Sequence, residues 1–102
     1  MKYQLVLQWT TSAARDFDAI IAIEELLDAK LSRPGEVDGH DFGSGEANIF
    51  LVTDRPEEVF REVRGILTPS GAFDDVRVAY RDVDEEEYTV LWPEGLGEFD
   101  VT

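Results

Sequence analysis

The chain has 102 residues, 43% of them hydrophobic, enough to furnish one core without metals or disulfides. It has no cysteine, which excludes a disulfide framework, a thiol nucleophile and a thiolate metal site. Twenty-three acidic residues against nine basic ones give a formal net charge of −14, which repels phosphate backbones and anionic lipid, so neither nucleic acid nor membrane is expected as a partner.

The opening Met1-Lys2-Tyr3-Gln4 lacks the apolar run of a signal peptide, and no stretch approaches the roughly 20 apolar residues of a membrane span. A cytoplasmic protein is the expectation. From Lys2 to Trp9 the sequence alternates, with Tyr3, Leu5, Leu7 and Trp9 on one side and Gln4, Val6 and Gln8 on the other, which predicts a strand. Thr10-Thr11-Ser12 offers capping hydroxyls. The segment 13–31 then places Phe17, Ile20, Ile21, Leu27 and Leu31 on one helical face, and Ser32-Arg33-Pro34-Gly35 stops the helix.

Strands are predicted over Glu36–Phe42 and Ala47–Thr53, joined as a hairpin through Gly43-Ser44-Gly45. Pairing Val37 with Leu51 and Gly39 with Ile49 matches the apolar residues best. That register turns Val37, Ile49 and Leu51 toward the helices and Asp38, His40, Phe42, Glu46, Asn48 and Phe50 away from them. Asp54 with Glu57 reads as a capping box and Pro56 as a first-turn proline, after which Val59, Phe60, Val63 and Leu67 form a helical stripe ending near Thr68-Pro69. Residues 76–83 alternate as a strand. After the acidic link Asp84-Glu85-Glu86-Glu87, Tyr88–Trp92 forms one more, and 93–102 is left as an irregular tail.

The order is βαββαβ plus an extra C-terminal strand in a single domain spanning 1–102. Right-handed crossovers put both helices on one face of an antiparallel sheet, so the expected fold is an α+β sandwich of ferredoxin-like plan. The added strand belongs beside the fourth at an edge, or else reaches a neighbouring subunit. Because Ile49-Phe50-Leu51-Val52 is apolar at every position, the third strand calls for cover on both sides: from Leu96 and Phe99, from a second subunit, or from a partner.

The densest collection of reactive side chains is Asp38-Gly39-His40-Asp41-Phe42-Gly43-Ser44-Gly45-Glu46-Ala47-Asn48-Ile49-Phe50. A polar hairpin whose glycines merely serve the turn is the plainer reading of it. The run resembles small, uncharacterised bacterial proteins that share a D-G-H-D-x-G-S-G-E-x-N-I-F pattern. Tyr88-Thr89-Val90-Leu91-Trp92-Pro93 supports the likeness, which implies a bacterial source and no function.

Chemical readings of this segment are each incomplete. His40-Asp41 has the types of a metal-hydrolase ligand pair, but the chain has one histidine, so no metal site is expected. Neither Asp38–Glu46 nor Asp82–Glu87 has the spacing of a calcium loop, which leaves the latter with weak divalent binding at most. Ser44, His40 and Asp41 are the types of a triad, yet strand alternation sends His40 and Asp41 to opposite faces. Acid–base work by His40 with Asp38 or Glu46 is the residual enzymatic reading. Glu24 falls within the apolar stripe of the first helix, either as a buried carboxylate that needs a hydrogen-bond partner or at the stripe's solvent margin.

No phosphate loop is present, and no cofactor is expected. The reading that fits best is a non-enzymatic, acidic protein-binding or regulatory module. Its open sheet face, carrying Gln4, Gln8, Asp38, His40, Phe42, Glu46, Asn48 and Phe50, engages another protein or a second copy as a homodimer. The alternatives are a small-molecule-sensing ferredoxin-like domain and an enzyme using His40.

Overall fold

Alternation and helical periodicity in this sequence give β1 (Tyr3–Thr10), α1 (Phe17–Lys30), β2 (Glu36–Gly43), β3 (Glu46–Thr53), α2 (Pro56–Leu67), a 3-10 turn (Thr68–Ser70), β4 (Arg77–Asp82) and β5 (Thr89–Trp92). The structure is a computed structural model that describes residues 2–10, 17–31, 36–43, 45–71, 73, 75–97, 99 and 101. The expected cap at Thr11-Ser12, the helix stop at 32–35 and Ser44 of the hairpin turn lie outside the described residues.

The strands form one antiparallel sheet in the order β2-β3-β1-β4-β5. With its fifth strand this is not the four-stranded order of the ferredoxin-like plan, though it is compatible with that plan. The added strand pairs with β4 of its own chain. Its four residues make a short edge. The other edge, β2, carries exposed Glu36, Asp38 and Asp41, and acidic side chains on an edge discourage edge-to-edge pairing.

One face of the sheet packs on the helices. Leu5, Leu7 and Trp9 of β1, Ile49 and Leu51 of β3 and Val78 of β4 form a continuous core with Ile20, Ile23 and Leu27 of α1 and Val59, Val63 and Leu67 of α2. Burying each such side chain is worth about 1.5–3 kcal/mol, whereas an exposed ion pair contributes about 0–1, so this core dominates stability. The buried face of α1 turns on Ile23 rather than on Ile21, which is only half-buried and outside the core. The spacing 20, 23, 27 follows the helical period more closely than 20, 21, 27.

The start of α2 also departs from expectation. Arg55, not Asp54, is the N-cap, and it makes no side-chain cap bond. Thr53 supplies the local link instead, its hydroxyl accepting the Arg55 N–H at 2.9 Å. At the other end Gly71 adopts φ +76°, open to glycine at no steric cost, and donates to the Thr68 carbonyl at 3.1 Å. Beyond it Phe73 packs between Phe60 of α2 and Trp92 of β5, with the Arg64 guanidinium 4.5 Å above the Trp92 ring. This aromatic contact fastens the edge strand to the helix layer.

Candidate functional site

Residues paired directly across an antiparallel ladder share a face of the sheet. The ladders therefore place Phe50, Val6, Ala79 and Val90 in one row across β3, β1, β4 and β5, on the face away from the helices. Val6 and Ala79 are fully buried there, and Phe50 and Val90 are half-buried. On one side of this apolar row run Asp41, Asn48, Gln8 and Arg77; on the other run Glu36, Val52, Gln4 and Arg81. Of the residues singled out from sequence, Gln4, Gln8, Glu46, Asn48 and Phe50 share this face.

His40 and Phe42 do not. The β2–β3 register shifts between Val37 and Gly39, so that Gly39 pairs with Phe50, His40 with Ile49 and Phe42 with Ala47. The expected pairing of Gly39 with Ile49 holds no further than Val37–Leu51. The bulge takes up one residue at Asp38, and every β2 side chain after it changes face. Gly39 makes this possible by adopting φ +149°, a backbone state that side-chain-bearing residues rarely enter. A glycine inside a strand was the available signal for such a bulge.

The shift brings two residues together that the sequence marked for separate reasons. His40 now points to the helix side, where its Nδ1 lies 3.0 and 3.1 Å from the two carboxylate oxygens of Glu24 on α1. Phe42 packs edge-on against the imidazole, with ring centroids 5.7 Å apart. The Glu24 side chain is 19% exposed and that of His40 31%, so the pair sits at the margin of the core. Asp38 and Glu46, the partners expected for His40, lie elsewhere: Asp38 is at the bulge, and Glu46 accepts from Arg77 at 2.8 Å.

A carboxylate on Nδ1 orients an imidazole. Ser44 is outside the described residues, Asp41 is on the opposite face, and among the described residues no group of three or more His, Asp or Glu side chains is placed to hold a metal ion. The cleft beside the pair, between α1 and β2, has a volume of about 260 Å³ and is walled by Glu24, Glu25, Asp28 and Asp38. That is below the roughly 300–1,000 Å³ typical of small-molecule pockets, and Val37 and Gly39 line it beside the four carboxylates.

Gln8 and Asn48 are not surface amides, as alternation alone suggests, but are each 1% exposed. Gln8 Nε2 donates to Asn48 Oδ1 at 3.1 Å, and Asn48 Nδ2 is buried with no acceptor among the described residues. Above this pair Arg77 reaches from β4 across β1 to Glu46 on β3. Arg81 turns the other way: Nε donates to Gln4 at 3.1 Å, and Nη1 donates to the carbonyls of Asp82, Val83 and Glu85 at 3.3, 3.3 and 2.8 Å. One guanidinium thus pins the backbone of the acidic link while its carboxylates remain exposed.

The tail after β5 turns back at Pro93–Leu96, and Phe99 meets Tyr88 with ring centroids 5.0 Å apart. No family model matches the chain, and no curated protein or solved structure does so either.

Proposed function

We propose that this protein is a non-enzymatic binding module of ferredoxin-like plan, whose sheet face opposite the helices receives another protein. The strand order β2-β3-β1-β4 with both helices on one side supports the plan. The observation that carries the functional reading is the row Phe50–Val6–Ala79–Val90, in which the half-buried Phe50 and Val90 flank the buried Val6 and Ala79, with polar side chains and Val52 in the rows on either side. An apolar centre with a polar rim is the anatomy of a protein interface. The half-buried Phe50 supplies an aromatic of the kind that anchors such contacts.

His40 and Glu24 then serve to hold α1 against β2, behind the binding face. Small-molecule sensing at this pair ranks second, because the cleft beside it, at about 260 Å³, is small.

The test is affinity capture with the wild-type chain, Phe50→Asp, and Glu57→Ala as a control on an exposed position of α2. A discrete partner kept by wild type and Glu57→Ala but lost by a folded Phe50→Asp supports the reading. A partner retained equally by all three places recognition on some other surface.

A further inference from the structure

We propose that the occupant of this sheet face is a basic, amphipathic segment of another protein, an inference that rests on the binding-module reading. The half-buried Phe50, Val52 and Val90 of this face give the segment's apolar side chains a surface to cover. The charge around that row selects what flanks them. Both arginines of the face are engaged within the chain, Arg77 by Glu46 and Arg81 by Gln4 and three backbone carbonyls.

The carboxylates at the borders are exposed. On the β2 side these are Glu36 and Asp41, and beyond β4 they are Asp84, Glu85, Glu86 and Glu87. Val83, at 43%, is the only exposed large hydrophobic residue among the described residues, and it lies within the same acidic link. Lys2 is the basic residue alongside, its carbonyl accepting the Val83 N–H at 3.1 Å. Apolar contact and negative charge thus adjoin at the β4–β5 end of the face.

A second copy of the chain is a poor occupant. It would bring together two molecules of charge −14 with like carboxylates facing one another. A basic segment is attracted before contact, which raises its association rate, and its apolar side buries against Phe50 and Val90 on contact.

The experiment titrates the whole chain, labelled for amide chemical shifts, with three synthetic peptides of about five helical turns each. One is amphipathic in Leu and Lys, one has Glu in place of Lys, and one is a Lys/Ser peptide with no apolar side. The Leu/Lys peptide is expected to move the amides of Phe50, Val52 and Val90 and those of residues 83–88, and to bind about tenfold more weakly as ionic strength rises from roughly 0.05 to 0.5 M. Glu85→Lys with Glu86→Lys is expected to weaken it about fivefold or more.

If the Leu/Glu peptide moves the same amides with equal affinity, the basic class is wrong and the binding face stands. If the Lys/Ser peptide binds as well as Leu/Lys, with shifts spread over the acidic helix surfaces, attraction is charge alone and the proposal fails. No shift at Phe50 or Val90 with any peptide overturns both the proposal and the reading beneath it.

Discussion

The imidazole of His40 on β2 and the carboxylate of Glu24 on α1 meet at 3.0 Å across sixteen residues of sequence, and together they tie the helix layer to an edge strand. Both side chains are more than half covered, so the interaction is screened less than a surface pair and more than a buried one. In a double-mutant cycle of His40→Ala and Glu24→Ala, measured by urea unfolding, a coupling of about 0.5–1 kcal/mol is expected. Strictly additive losses would mean that the two groups do not interact in solution.

Gly39 decides whether that pair forms at all. Its added Cβ would meet nothing within 4 Å, so any cost of Gly39→Ala is conformational, arising from φ +149°. A loss of about 1–3 kcal/mol is expected, with the His40–Glu24 coupling diminished as β2 shifts to relieve the strain. Gly65, in the interior of α2, is the contrast: its Cβ also meets nothing, and no positive φ stands in the way. There Gly65→Ala should stabilise the protein by about 0.5–1 kcal/mol. Equal effects of the two substitutions on the unfolding midpoint would contradict the bulge.

The buried amides make a third expectation. Removing one takes the bond between Gln8 Nε2 and Asn48 Oδ1 from the other in a region 1% exposed, where a buried polar atom that loses its bond costs about 1–3 kcal/mol. Gln8→Leu and Asn48→Leu are each expected to destabilise, and the double variant to lose at least about 1 kcal/mol less than the sum. Thermal or urea unfolding of the four proteins measures this. Losses that simply add would show that the two amides do not depend on one another.

Much of the fold was legible in the residues. Period-two alternation marked β1 and β4, the 3.6-residue stripe at Val59, Val63 and Leu67 marked α2, and the strand–helix order brought the extra strand to the edge beside β4. The α2 cap was misjudged because Asp54 and Glu57 have the right spacing, while Thr53, one residue earlier, takes the local hydrogen bond. Helix spacing also placed Glu24 at the apolar stripe without naming its partner.

What the sequence determined by itself was therefore local: which segments become strands and helices, which side of each is apolar, and how negative the molecule is. Those properties depend on neighbours within a few residues and on total charge. Which distant groups meet was settled only by tertiary structure, since one bulge residue at Asp38 exchanges the faces of the rest of β2. It carries His40 and Phe42 to the helices, leaves Asn48 and Phe50 behind, and gives Glu24 its partner. The burial of Gln8 and Asn48 was decided in the same way, by the strands laid on either side of β1 and by Arg77 reaching across them to Glu46.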